Sequence, residues 1–290
     1  MQLIANIVTL AALYALIASG YVVVYRVSRV LNLAHGEIMM IGAYLLLTTG
    51  TIAGGPPALA LPLALAASVL TGVAVYVVLM RRMSGEAVFA AVLMTIALGI
   101  LLRGLATLLW TGQLHHPAQF VGWKNAPVHL PGGAAVSSAA AFTVVATVVV
   151  YAALFAALRY TRWGQRLRAV GENPRLAAQR GVAPASAHAI AWALSAFTGG
   201  LAGMLLSLDQ GLDASVAIVG LKTFPVVLVG GLDSLLGALA GALIVAAAEA
   251  LAIHYIDPLV SEVAPFLVLI AMLMVRPWGL FGAREEIDRV

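Results

Sequence analysis

RYTRWGQRLRAVGENPRLAAQRGVAPASAH, residues 159–188, is the one long polar segment of the chain. Six of the sixteen basic residues lie in it: Arg159, Arg162, Arg166, Arg168, Arg175 and Arg180. Within it a short helix is punctuated at both ends. Asn173 suits the N-cap, because its side-chain oxygen can take a free backbone N–H of the first turn. Pro174 fits the first helical position, where no N–H is needed. Gly181 supplies the left-handed stop. A helix of two turns does not persist alone. The pattern therefore predicts a short helix held by a neighbour, either the chain's own helices or another protein. A purely positive anchor would not need the caps.

Everything on either side is hydrocarbon-like. Of 290 residues, 62% are hydrophobic and 10% charged, and the mean hydropathy is +1.02. A soluble domain with so few charges would be one continuous apolar patch, so lipid is the expected solvent for most of the chain. The absence of cysteine excludes disulfides, thiol nucleophiles and thiolate metal sites. The first residues, MQLIANIV, lack a basic region ahead of the apolar run. A first span that is kept, rather than a cleaved signal, is expected.

Outward from the polar loop, the pattern predicts an all-α polytopic protein with 8–10 spans, nine fitting best, as one domain over residues 1–290 with a polar loop at 159–188. The expected spans are Leu3–Tyr25, Ile38–Ala53, Ala58–Met80, Val88–Trp110, Ala134–Leu158, Ala189–Leu208, Val216–Gly231, Leu235–Ile253 and Val263–Val275. Gly54-Gly55-Pro56-Pro57 reads as a turn. Val216–Gly231 is shorter than the ~20 residues of a comfortable crossing, so a tilted span and a broken, re-entrant segment both remain open. Nine crossings with the N-terminus outside place Arg26, Arg29, Arg81, Arg82, the six loop arginines, Arg276, Arg284 and Arg289 inside, thirteen of the sixteen basic residues. That is the asymmetry the positive-inside rule asks for. The polar loop and the C-terminus are then cytoplasmic.

The chemistry the chain lacks is equally informative. Neither of its two lysines, Lys124 and Lys222, follows the glycines of a phosphate loop. No HExxH zinc pattern and no GxSxG nucleophile elbow occurs. No catalytic residue, resident cofactor or metal is expected. An ATP-driven process would need its nucleotide bound by another polypeptide, and nucleic acid is not an expected partner. Arg103, about 10 Å from the end of its span by helical rise, is expected to snorkel outward or pair structurally. Glu249, near the end of another span, is read the same way, and Lys222 is expected to reach the interface. His35 and Glu37 read as interfacial, with Glu37 capping the helix that follows. His115 and His116 read as exposed loop residues. Ser195, Gly199 and Gly203, and likewise Gly237 and Gly241, form lines of small residues that let helices approach closely.

Four stretches carry a likeness. Gly171-Glu172-Asn173-Pro174-Arg175, with Ala178 and Gly181-Val182, resembles the coupling loop of ABC-importer permeases of the branched-chain amino-acid type. Asn32-Leu33-Ala34-His35-Gly36-Glu37 is similar to that family's motif after the first span. Phe224-Pro225 through Val229-Gly230-Gly231-Leu232-Asp233-Ser234, then Gly237 and Gly241, is similar to its late glycine motif. Arg276-Pro277-Trp278-Gly279-Leu280-Phe281-Gly282 resembles its ending. The four keep the family's order across nearly the whole chain. Asp233 and Trp278 depart from the pattern, Asp233 standing where it could cap the next helix.

The resemblance implies a multi-pass permease subunit of the cell inner membrane. By that likeness it pairs with a second permease subunit, two cytoplasmic ABC ATPases that bind the ATP, and a periplasmic solute-binding protein. Gly171, Glu172, Asn173, Pro174, Arg175, Ala178 and Gly181 would couple to an ATPase. Asn32, His35, Gly36, Glu37, Gly230 and Gly231 would be candidates for the translocation path or its gate. The implied cargo is a branched-chain or related amino acid, with urea and short amides as alternatives. An autonomous secondary transporter would instead want a buried acidic relay, for which the spans offer almost no candidate. An intramembrane enzyme lacks a nucleophile, a metal or an acid pair.

Overall fold

The structure is a computed structural model that describes residues 1–53 and 57–282. The expected turn at Gly54-Gly55-Pro56, and Arg284 and Arg289 of the tail, lie outside the described residues. In chain order the elements are α1 (Gln2–Ser28), α2 (His35–Ala53), α3 (Pro57–Val78), α4 (Val88–Trp110), α5 (Pro117–Phe120), β1 (Pro127–His129), β2 (Ala135–Ser137), α6 (Ser138–Tyr160), α7 (Arg162–Glu172), α8 (Pro174–Gln179), α9 (Pro184–Gln210), α10 (Val216–Gly230), α11 (Leu235–Tyr255) and α12 (Ala264–Val275). The fold is all-α and polytopic, as expected.

Among the described residues six helices, α1, α3, α4, α6, α9 and α11, are long and apolar enough to cross a membrane. Three further helices fill the remaining expected spans but are shorter. At 1.5 Å per residue, α10 covers about 22 Å and α12 about 18 Å, against a hydrocarbon core of about 30 Å. The stretch from residue 216 is thus one short helix with Pro225 inside it.

The sequence explains which helices sit centrally. α1 and α9 carry small residues on several faces and are 78% and 72% buried over their most apolar windows, whereas α4 and α6 are 22% and 28% buried and occupy the periphery. α2, α10 and α11 pack around the central pair.

The two ends of the bundle differ in kind. At one end Arg26, Arg159 and Arg168 line a cleft with Asp233 and Phe281, and Arg29 and Arg81 line the neighbouring one with Glu172. This arginine end also holds α7 and α8. At the opposite, Met1 end the loop expected over residues 111–133 is folded. It forms α5 and an antiparallel β1–β2 pair in register Pro127↔Ser137, Val128↔Val136 and His129↔Ala135. The span expected to begin at Ala134 therefore starts as a strand, and its helix begins at Ser138 with Ser137 as N-cap, accepting from the Ala140 N–H at 3.1 Å. Gln2 clamps that strand: its amide donates to the Ala135 carbonyl at 2.9 Å, and its oxygen accepts the Ala135 N–H at 3.0 Å. His115, expected to be exposed, is half-buried. It pairs with Leu212 through two backbone hydrogen bonds of 2.8 Å and sits 2.7 Å from the Trp110 carbonyl through its ring.

Candidate functional site

The stretch after α1 turns back into the bundle. α1 ends at Ser28, and Arg29 closes it in the left-handed region at φ 54°. Residues 30–34 carry no helix, and α2 then opens at His35. The His35 Nε2 lies 3.1 Å from the carbonyl of Ile17. Ile17 is eleven residues before the end of α1, so the start of α2 is about 16 Å inward from that end. His35 is fully buried. The interfacial placement expected for His35 and Glu37 is corrected: both belong to a helix that begins deep in the bundle.

The glycines on either side make room for this. A carbonyl only accepts, so Nε2 donates to Ile17 and Nδ1 accepts from the Ser195 hydroxyl, 3.1 Å away. A Cβ on Gly20 or on Gly199 would overlap the imidazole. One turn further along, a Cβ on Gly203 would run into the backbone carbonyl of Met39. Ser195, Gly199 and Gly203 are thus the groove on α9 that receives His35 and Met39 of α2. On the opposite side Gly36 meets the Ala217 carbonyl and the backbone of Gly220 on α10. Asn32 is buried, and its Oδ1 accepts from the Ala34 N–H at 3.2 Å. Its Nδ2 has no hydrogen-bond partner among the described residues.

Glu37 points away from this seam. Its carboxylate is 2.7 Å from Arg103 of α4, with the two side chains 13% and 47% exposed. The anion sits in the first turn of α2, where the helix dipole favours it. Arg103 therefore holds a partner on a neighbouring helix and does not simply snorkel. The pair lines a cleft of about 590 Å³ whose walls are Leu33, Ile96, Gly99, Ile100 and Leu221. Of the expected path residues, Glu37 alone lines it; Asn32, His35 and Gly36 form the packed floor behind.

A second set of charges sits on the far face of α10. Lys222 is 4.0 Å from Glu262. Glu249 is buried and accepts a 2.5 Å hydrogen bond from the Tyr14 hydroxyl. Of the two readings of Glu249, structural pairing holds and snorkelling does not: it points inward against α1. Its run of small neighbours, AAAEALA, gave no sign of the tyrosine 235 residues earlier that binds it.

Gly230 and Gly231 lie at the arginine end, away from the cleft. Gly231 has φ 108° and closes α10. The Leu280 N–H donates to the Val229 carbonyl at 2.9 Å and the Phe281 N–H to the Gly230 carbonyl at 3.0 Å, so the Trp278–Gly282 turn caps this helix end. Gly237 abuts the Gly230 carbonyl and Gly241 the Val226 carbonyl, bringing α11 against α10. Ser234, not Asp233, caps α11, accepting from the Gly237 N–H at 3.0 Å.

The polar loop holds two helices where one was expected. α8 has the expected punctuation: Asn173 accepts from the Leu176 N–H at 3.0 Å, Pro174 takes the first position, and Gly181 sits at φ 80°. The Val182 N–H reaches the Ala177 carbonyl and the Gly181 N–H the Ala178 carbonyl, both at 3.0 Å, which is a Schellman closure. α8 buries only Ala177 and leaves Pro174, Arg175, Leu176 and Ala178 exposed. The unexpected helix is α7. Thr161 caps it, and Gly164, Leu167 and Val170 form its buried stripe at three-residue spacing. That stripe was the available signal, hidden among arginines. A Cβ on Gly171 would overlap the Arg26 carbonyl of α1, and one on Gly164 the backbone of Leu158 in α6. α8 is thus tied through α7 to the ends of α1 and α6.

The sequence has known relatives along its whole length. The profile of the family described as branched-chain amino acid transport system / permease component matches residues 3–275. The chain is 29% identical over 301 residues to the high-affinity branched-chain amino acid transport system permease protein LivH of Escherichia coli K12, covering 100% of this chain and 97% of that one. It is 27% identical to BraD of Pseudomonas aeruginosa over 100% of this chain and 98% of the relative. It is 28% identical to a probable LivH of Methanocaldococcus jannaschii over 93% and 89%. No solved structure gives a significant match.

Proposed function

The chain belongs to the branched-chain amino acid permease family, and from that premise we propose that it is a membrane-spanning subunit of an ATP-driven importer for branched-chain or related amino acids. In this reading it works beside a second permease subunit, is driven by two cytoplasmic ATPases that bind the ATP, and receives solute from a periplasmic binding protein. Residues 1–290 act as one permease domain of the cell inner membrane, with the N-terminus outside and the C-terminus cytoplasmic. The sorting of Arg26, Arg29, Arg81, Arg159 and Arg168 to one end supports that orientation.

The observation that carries the coupling role is the exposed, doubly capped α8. A two-turn helix needs support, and α7 supplies it by seating Gly171 on the last turn of α1. A force on α8 is then delivered to the transmembrane bundle. Gly171, Glu172, Asn173, Pro174, Arg175, Ala178 and Gly181 form the contact with the ATPase. In proteoliposomes holding the complete transporter, Pro174→Gly and Arg175→Glu should each lower uptake per ATP hydrolysed about tenfold, about 1.4 kcal/mol of lost coupling. Unchanged uptake in both variants would remove the coupling role. A panel of amino acids, urea and short amides offered to the associated binding protein decides the cargo.

One observation favours a second reading. Glu249, buried and bonded to Tyr14 between α11 and α1, is the kind of buried acidic group that an ion-coupled carrier would use. Uptake by this chain alone in liposomes under an ion gradient would establish that reading and displace the importer.

A further inference from the structure

We propose that the cleft between α2, α4 and α10 is a transit site for a zwitterionic aliphatic amino acid, its α-carboxylate held by Arg103 and its α-ammonium by Glu37. The proposal rests on the amino-acid permease reading above and adds the site and the contacts.

The first argument is position. The pair lies deep along the helix axes, Glu37 at the inward-set start of α2 and Arg103 about 10 Å from the end of α4, the least buried long helix. Charges held at that depth mark a solute path or a pairing need rather than a lipid-facing surface. The second is composition. Leu33, Ile96, Ile100 and Leu221 give the cleft apolar walls, and the Glu37–Arg103 pair gives it one anion and one guanidinium. Small-molecule sites are built in that way, mostly apolar with a few fixed polar groups. A free aliphatic amino acid presents the complementary set: one carboxylate, one ammonium and one branched hydrocarbon. The guanidinium fork matches a carboxylate in two parallel hydrogen bonds.

The third argument is space. A Cβ on Gly99 would stand 3.1 Å from the Glu37 carboxylate, and a Cβ on Gly104 would meet nothing within 4 Å. Larger residues at these positions would take up the room beside the charges. At 2.7 Å the two side chains satisfy each other, so no unpaired charge waits in the cleft. An entering zwitterion exchanges one ion pair for two, which gives binding that is specific yet readily reversed, as a site in transit requires. The other charged groups lack these features: Glu262 of the Lys222 pair is 72% exposed at 4.0 Å, and the Tyr14–Glu249 pair has no cation at hydrogen-bond distance.

The test uses the assembled transporter in proteoliposomes with leucine as the probe. Arg103→Lys keeps the charge but loses the fork, and should raise the KM for leucine about tenfold with a smaller change in kcat. The exchange Glu37→Arg with Arg103→Glu restores attraction between α2 and α4, so a mere tether would recover. The transit site should not recover even where the exchanged variant melts like wild type, because the solute's carboxylate and ammonium then face groups of their own sign in the orientation the apolar walls fix, and uptake should stay about tenfold or more below wild type. Recovery of wild-type uptake by the exchanged pair overturns the proposal. A diazirine-bearing leucine analogue, irradiated with the unaltered transporter, should label Leu33, Ile96, Ile100 or Leu221 and be displaced by excess leucine; labelling confined to other helices overturns it independently of any variant. Failure of the unaltered transporter to move any aliphatic amino acid would overturn the amino-acid importer reading and this proposal with it, whereas intact uptake with either contrary result above overturns the site alone.

Discussion

α2 packs against the central pair and α4 stands at the periphery, and the two are attached in opposite ways. α2 is seated by backbone: Gly203 on Met39, Gly20 and Gly199 around the His35 ring, Gly36 against Ala217. α4 is attached at polar points. The Thr95 hydroxyl accepts the Leu33 N–H at 3.2 Å, Arg103 pairs with Glu37 at 2.7 Å, and the Trp110 indole donates to Thr48 at 2.8 Å. In lipid there is no hydrophobic drive between two apolar helices, because the hydrocarbon chains are as apolar as leucine. Association then comes from close approach of backbones or from polar contacts. The two helices use one solution each, and the difference separates a fixed core from an adjustable wall.

The comparison breaks most sharply at the seam. Gly203→Leu drives a side chain into the Met39 carbonyl and should cost at least about 3 kcal/mol, seen as loss of monodisperse protein in detergent. A variant that purifies and melts like wild type would show that α2 is not held by close approach. His35→Ala removes a buried ring and both of its hydrogen bonds, and should cost about 2–4 kcal/mol, read as a lowered melting temperature. At α4 the effects should be smaller and local. Trp110→Phe keeps the ring and loses the bond to Thr48, at about 1 kcal/mol. Hydrogen exchange should quicken in residues 104–110 while α1 and α9 stay protected. Exchange that quickens across all helices would erase the distinction.

Local features were legible in the sequence and tertiary ones were not. The caps of α8 are set by residues within eight positions of each other, so Asn173, Pro174 and Gly181 announced it. The limits of α4 could be read directly, because Glu86 and Thr111 bound an apolar run that holds a single charge, Arg103. α7 escaped notice because its stripe of Gly164, Leu167 and Val170 is interleaved with arginines that read as solvated loop. The depth of His35 was hidden for a different reason. A run of Asn, His and Glu just after two arginines suggests a boundary, and only Gly20, Gly199 and Ser195, far away in sequence, provide the space and partners that bury it. Glu249 is a similar case, since its partner Tyr14 lies at the other end of the chain. The Glu37–Arg103 pair joins two residues each visible as unusual, but nothing local says that they meet.

The fastenings of α4 fix how it can yield. Thr95 and Trp110 anchor it at two points about 22 Å apart along the helix, and Arg103 stands almost midway between them. A strut pinned at one end and again a third of the way from the other cannot swing like a door; between the pins it can only bow, and bowing displaces the middle of that stretch furthest. Gly99 and Gly104, on either side of Arg103, are where such a rod is weakest.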